Sequence, residues 1–99
     1  MARLDVYRNP DGNGFLLDVQ ADLMSHLKSR LVIPLVHSDI APLPIKVLNP
    51  VFELEDAPYM LLTQQMAAVS IRMLKSPVYN VNDRRDEVVA AIDLLLQGF

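Results

Sequence analysis

The sequence predicts a mainly β domain, a small antiparallel barrel or curled sheet followed by one C-terminal α-helix. Short apolar runs with β-branched residues alternate with turn formers through most of the chain. The last part of the chain instead carries apolar residues at helical spacing. With 99 residues, we expect one domain that spans residues 1–99.

The first two strands are predicted as a hairpin. Residues 4–7 alternate with a period of two, and residues 15–20 give the returning strand. Between them, residues 8–14 contain both an Asp-Gly and an Asn-Gly pair, which favour a tight turn. Residues 31–35 follow as a short buried strand, in which Pro34 cannot donate a ladder hydrogen bond. We therefore expect Pro34 to mark a sheet edge or the end of the strand.

A second hairpin follows a long loop. Residues 38–50 contain three of the seven prolines and are predicted to be irregular. Residues 51–54 and 59–62 then flank a turn at residues 55–58. Residues 69–73 alternate cleanly and predict the last strand.

The C-terminal helix has a predicted start, a buried face and a predicted end. Asn82 or Asp83 offers an N-cap side chain. Gly98 stands where a helix end commonly adopts positive φ, and Leu94 points away from the apolar face. The face expected to be buried consists of Val88, Ala91, Ile92, Leu95 and Leu96.

Composition narrows the class of partner. The formal net charge is −3, and no basic face is visible, which argues against DNA or RNA as the main partner. An apolar fraction of 52% in so small a chain suggests surface that a second copy covers. The absence of cysteine, an N-terminus without a secretory pattern and apolar runs too short to span a membrane favour the cytoplasm.

Few residues suggest catalysis. His26 and His37 stand alone in predicted loops, without a second metal ligand at the usual spacing. Gly12-Asn13-Gly14 precedes a strand pattern instead of a helix and is interpreted as a turn, not a phosphate-binding loop. We therefore expect no enzymatic activity, no metal and no cofactor. The residues alone indicate a β-rich domain that binds other proteins.

An ordered set of short segments adds a family. It comprises Val6-Tyr7, Asp18-Val19-Gln20-Ala21-Asp22, Val32-Ile33-Pro34-Leu35, Asn49-Pro50-Val51, Met66-Ala67 before Val69, and the closing Ala91-Ile92-Asp93-Leu94-Leu95-Leu96-Gln97-Gly98-Phe99. In order, spacing and total length, the chain resembles the CcdB toxins of bacterial toxin–antitoxin pairs.

This resemblance implies an SH3-like antiparallel β-barrel with a C-terminal helix, assembled as a homodimer. It further implies a toxin that is not an enzyme and that binds the DNA gyrase A subunit, trapping the cleaved-DNA complex. A CcdA-like antitoxin neutralises such toxins through a disordered segment that folds on binding. The toxin–antitoxin complex represses its own operon, so that the toxin meets DNA only through the antitoxin.

The gyrase-facing residues that the resemblance implies lie in two segments, after the Asp18–Asp22 block and at the C-terminus. The family ends in Trp-Gly-Ile, so that Gln97 replaces a tryptophan here, and Asp93 replaces an amide. The implied set is Leu23, Met24, Asp93, Leu96, Gln97, Gly98 and Phe99.

Alternatives remain open from the sequence. The changes at Asp93 and Gln97 are also those expected of a member that has lost or altered its gyrase activity and only binds an antitoxin. A MazF- or Kid-like endoribonuclease shares the fold, but no base accompanies Arg30 and Arg72, the only strand-associated arginines. Loops around residues 8–14 and 40–49 are the candidate antitoxin contacts.

Overall fold

The computed structural model of the chain describes residues 2–24 and 26–98. Within them, an antiparallel sheet of seven strands curls into a half-barrel and is followed by one α-helix, which confirms the predicted mainly β fold. The elements are β1 Asp5–Arg8, β2 Phe15–Asp18, β3 Ser29–His37, β4 Val51–Leu54, β5 Ala57–Leu61, β6 Ala67–Ser70, β7 Tyr79–Asn80 and α1 Arg85–Gln97.

The nine-residue strand β3 is the centre of the sheet, whose order is β4-β5-β3-β2-β1-β7. One flank of β3 pairs with β2, and the other pairs first with β6 and then with β5. The expectation that Pro34 marks an edge or an end is wrong, because it lies inside this central strand. The partner changes at Pro34: β6 pairs up to Val32 and β5 starts at Leu35, so the missing N–H falls in the gap.

The core lies inside the curl of the sheet. Phe15, Leu17, Ile33 and Phe52 from the strands meet Val88 of α1, and each is almost completely buried. Burying a side chain of this size contributes about 1.5–3 kcal/mol. A second, smaller cluster covers the other face of the first strands and consists of Tyr7, Leu16, Val32 and Leu74.

A buried ion pair joins β2 to β3. Arg30 Nε donates to Asp18 Oδ2 at 2.8 Å, and both side chains are fully buried. Asp18 Oδ1 also accepts the Gln20 N–H at 3.0 Å, and Gln20 Oε1 accepts the Leu31 N–H at 3.1 Å. Burial raises the pKa of the Asp18 carboxyl, and the hydrogen bonds from Arg30 and Gln20 oppose that rise.

The region between β6 and α1 differs from the prediction. A last strand at residues 69–73 is wrong, because β6 ends at Ser70 and a 3₁₀ turn follows at Ile71–Met73. The Ser70 hydroxyl accepts the Arg72 N–H at 3.2 Å and caps that turn. The last strand is instead β7, which pairs with β1.

The helix also begins differently. A 3₁₀ turn occupies Asn82–Arg84, and α1 follows it directly. Arg84 is the N-cap residue, without a capping hydrogen bond from its side chain, so the predicted caps Asn82 and Asp83 are wrong. In the part of the chain that the structure describes, no helix is long and apolar enough to cross a membrane.

The glycines of the first turn give a matched test of the fold. Gly14 has φ +74, and a Cβ there would lie 2.2 Å from the Leu35 carbonyl oxygen. Gly14→Ala should therefore destabilise the chain by about 3 kcal/mol or more, through both strain and a backbone clash. Gly12 has φ +98 with open space around it, and Gly12→Ala should cost only about 1–2 kcal/mol. Urea unfolding measures both, and equal losses would refute the close approach of the turn to β3.

Candidate functional site

The far end of α1 is exposed and apolar. Val88 and Ala91 are completely buried and Ile92 is half-buried, but Leu95 is 38% exposed and Leu96 is 71% exposed. The predicted buried face is therefore correct for the first half of the helix and wrong for the two leucines. The reason is that the helix joins the core through Val88 and Ile92, whereas Leu95 and Leu96 do not belong to that cluster.

Gly98 ends the helix as predicted. It adopts a left-handed conformation with φ +80, and its N–H donates to the Leu94 carbonyl at 2.9 Å. Leu94, which is expected to point away from the apolar face of the helix, is half-buried. Asp93 and Gln97 are exposed, and Phe99 lies outside the described residues.

The other two predicted site residues lie on a one-turn 3₁₀ helix at Asp22–Met24. Leu23 is 82% exposed, and Met24 is less exposed. The turn is held by the Arg3 N–H, which donates to Asp22 Oδ1 at 2.7 Å, and by Gln20 Nε2, which donates to the Met24 carbonyl at 3.0 Å. Its leucine is thus presented on a fixed backbone.

The structure groups the predicted site residues into two patches. Asp93, Leu96 and Gln97 are spaced three and four residues apart and share one side of α1, with Gly98 directly after them. Within residues 2–24 and 26–98, no hydrogen bond or ion pair connects this patch to the Asp22–Met24 turn. The predicted site residues therefore lie on two different elements, α1 with its end and the Asp22–Met24 turn.

A cavity that the sequence did not predict opens beneath the β1–β2 turn. We call it the hairpin mouth; it has a volume of about 460 Å³ and lies between the turn, the end of β3 and the β4–β5 hairpin. Its floor is a row of aromatic rings in edge-to-face contact. The Phe15 and Tyr59 centroids are 4.9 Å apart, and the Tyr59 and His37 centroids are 5.3 Å apart. The mouth offers apolar contact through Tyr59 and Ile40, bordered by polar groups.

One wall of the hairpin mouth is a cluster of polar side chains. Arg8 and Glu55 form a two-point ion pair, and the Tyr79 hydroxyl donates to Glu55 Oε2 at 2.9 Å. These hydrogen bonds lower the pKa of Glu55 and raise the pKa values of Arg8 and Tyr79. Since Glu55 belongs to one end of the sheet order and Tyr79 to the other, the cluster links the two edges of the sheet.

The turn that carries Glu55 adopts an uncommon backbone conformation. Glu55 and Asp56 have φ of 54° and 63°. Two consecutive positive φ values give the turn whose twist matches a hairpin, although glycine and asparagine are its usual residues. The backbone strain of this turn coincides with the hydrogen bonds of the Glu55 carboxylate to Arg8 and Tyr79. No sequence pattern signals this contact, because the three residues are far apart in the chain.

The long loop next to the mouth exposes apolar side chains but is firmly attached at its end. Ile40 and Leu43 are 70% and 91% exposed. Asn49 is buried; its Nδ2 donates to the Leu61 carbonyl and its Oδ1 accepts the Ile45 N–H, both at 2.9 Å. The amide therefore fixes the loop without restricting its exposed tip.

Groups that could act in catalysis are dispersed. His26 is exposed, whereas His37 contacts Tyr59 and lies 3.7 Å from Asp39 across Nδ1 and Oδ2. Throughout residues 2–24 and 26–98, no three His, Cys, Asp or Glu side chains come close enough to hold a metal ion. The described surface instead exposes apolar side chains that suit contact with another protein, at the end of α1, on the Asp22–Met24 turn and at the hairpin mouth.

One comparison with known proteins matches almost all of the chain. A family model described as CcdB protein matches residues 3–98 of the chain. The match includes both apolar patches and the hairpin mouth. It agrees with the ordered segments and with the observed fold.

The cluster at the mouth predicts an acid-sensitive contact. The pKa of Glu55 is lowered from 4.5 in the folded chain, so its pairing stabilises the fold above that pH and is lost as the pH falls through the lowered value. Glu55→Gln should therefore flatten the loss of stability below about pH 4.5. Glu53→Gln, on the same hairpin but exposed, is the control. Urea unfolding at several pH values decides; parallel curves for the wild type and Glu55→Gln would contradict the pairing.

Proposed function

The chain belongs to the CcdB family of toxins from toxin–antitoxin pairs, and on this premise we propose that it binds the DNA gyrase A subunit and traps the cleaved-DNA complex. It acts in the cytoplasm by binding, without catalysis and without a cofactor. Residues 1–99 act as one domain. An antitoxin of the CcdA type neutralises it, and the joint complex represses its operon.

The observation that carries this proposal is the exposed apolar end of α1. Leu96 is 71% exposed on a helix whose first half is firmly packed. Large apolar side chains on a rigid element are the usual centre of a protein interface, because little conformational entropy is lost when they become buried. Asp93 and Gln97 border Leu96 and supply polar contacts. Leu23 and Met24 add a second apolar patch.

A homodimer is part of the proposal. Strand β6 pairs only with β3 in the described part of the chain, and its Ala67 and Ala68 are exposed. A sheet edge with small side chains allows the close approach of another backbone. A second copy would also place two helix ends and two Asp22–Met24 turns on one assembly.

Gln97 separates the leading proposal from its alternative. A tryptophan at this position would bury a large ring, whereas an amide offers less apolar area. If Leu96 and the residue after Gly98 supply enough apolar contact, this chain retains gyrase poisoning. If the contact requires the indole of a tryptophan, this chain has lost or altered its gyrase activity, and only the antitoxin-binding function remains.

We place the antitoxin contact at the hairpin mouth and the neighbouring loop. The half-buried ring of Tyr59, which packs on Phe15 of the core, suits an apolar anchor of a segment that folds on binding. Ile40 and Leu43 extend that apolar surface into solvent. This surface shares no residue with the helix end, so the two partners make different contacts.

Expression in two hosts tests the function. The chain is induced in a sensitive bacterium and in one with a CcdB-resistant gyrase A subunit, and soluble protein is confirmed in both. Arrest in the sensitive host only, with cleaved DNA trapped by purified gyrase, supports the proposal. Growth in both hosts supports the antitoxin-binding alternative. Arrest in both hosts refutes gyrase as the target, and incubation with unstructured RNA then tests for an endoribonuclease.

A pair of leucine substitutions should separate the two surfaces. Leu96→Glu places a charge in the proposed gyrase contact and should weaken binding to the A subunit by about 2 kcal/mol or more, or about thirtyfold. Leu43→Glu makes the same change at a still more exposed position and should leave gyrase binding unchanged.

The same pair tests the antitoxin surface with the cognate antitoxin peptide. Leu43→Glu should weaken the peptide's binding by about tenfold, and Leu96→Glu should weaken it less. Isothermal titration with purified A subunit and peptide gives all four affinities. Equal effects of both substitutions on both partners would contradict separate surfaces.

A further inference from the structure

Arg84 makes more contacts than its position at the start of a helix requires. Its Nε and Nη2 donate to the two carboxylate oxygens of Glu87 at 2.8 and 2.5 Å. Its Nη1 donates to the Val51 carbonyl of β4 at 2.8 Å, and the guanidinium lies 4.1 Å from the centroid of the Phe52 ring. Phe52 belongs to the buried core. One side chain thus joins the first turn of α1, the backbone of the edge strand and the core.

Helix stability alone does not explain an arginine here. Position 84 is the N-cap of α1, where serine, threonine, aspartate and asparagine usually satisfy the free N–H groups, and the Arg84 side chain makes no such hydrogen bond. A cation at this end also opposes the helix dipole. A residue that breaks local preferences marks a position that serves another purpose. The contacts across to β4 are that purpose.

The direction of the first turn of α1 determines where the last turn of the helix lies. Only Val88 and Ala91 are completely buried along the helix, and both lie in its first half. The last turns, with Leu95 and Leu96, are exposed. A helix rises about 1.5 Å per residue, so a small rotation at the start displaces the end by several ångströms.

From these contacts we infer that Arg84 is a positioning residue, which fixes the direction of α1 and so presents the exposed helix end in one orientation to the target. The inference deepens the proposed function and rests on it for the identity of the target. Arg84 lies at the opposite end of the helix from Leu96, so we assign it no contact with the target. It acts by raising the fraction of molecules in which the helix end is ready to bind.

The test separates direction from stability. Arg84→Ser removes the contacts to Glu87, Val51 and Phe52 and introduces a residue type that is preferred at N-caps. Arg85→Ser is the matched control, since Arg85 is the exposed neighbour. Because the chain contains no cysteine, Gln97→Cys and Glu53→Cys introduce the only two sites for spin labels. Dilution with unlabelled chain leaves one labelled copy in each assembly.

Pulsed electron resonance measures the distance between the two labels, and titration with the purified gyrase A subunit measures affinity for unlabelled chains. We expect a broadened distance distribution and about tenfold weaker binding for Arg84→Ser, with neither change for Arg85→Ser. Circular dichroism confirms that helix content is unchanged. Glu87→Gln, which keeps the cation over Phe52, should shift both readouts in the same direction but less, and replaces Arg84→Ser if that chain does not fold.

Two results would overturn the inference. One is an unchanged distance distribution in Arg84→Ser and Glu87→Gln. The other is a broadened distribution with wild-type affinity. If even the wild type binds no A subunit, the proposed function fails, and the distance distribution alone decides whether Arg84 orients the helix.

Discussion

The rest of the structure depends on the buried pairing of Asp18 with Arg30. It joins the end of β2 to the start of β3, and β3 is the strand that binds three others. The Asp18 backbone carbonyl also accepts the Leu4 N–H at 2.6 Å, which brings β1 into register. Removing one member of such a pair leaves an uncompensated buried charge and typically costs about 3–5 kcal/mol. These strands line the hairpin mouth and supply core residues against which Val88 of α1 packs.

Local sequence patterns predicted both hairpins, the central strand and the helix, because short apolar runs separated by turn formers mark the strands and helical spacing marks α1. The failures have nonlocal causes. Pro34 is tolerated in a central strand only because β6 ends before it and β5 begins after it. The strand predicted through residue 73 stops at Ser70, whose hydroxyl caps a competing turn. Strand β7 is only two residues long and exists because β1 offers it an open edge.

The residues of the candidate site are predictions from the sequence, to which the structure adds exposure and grouping. Periodicity predicts the apolar face of α1, but it cannot show how much of that face packs on the rest of the protein. Leu96 was therefore predicted to be buried, and it is exposed. The family resemblance supplied the site residues and left their arrangement open. Arg84 was missed because an arginine before a helix carries no local signal. Glu55 was missed because its partners Arg8 and Tyr79 are 47 and 24 residues away.

The pairing of β1 with β7 has a consequence for synthesis on the ribosome. Asp5 and Asn80 meet across a sequence separation of 75 residues. The first strand emerges early, yet its outer edge has no partner until nearly all of the sheet has been translated, and such long-range closure is the slow step of folding. Helix α1 follows β7 in the chain and docks on a sheet that is only then complete. The exposed end of α1 therefore takes its final place only after the strand that closes the edge beside β1 has been made.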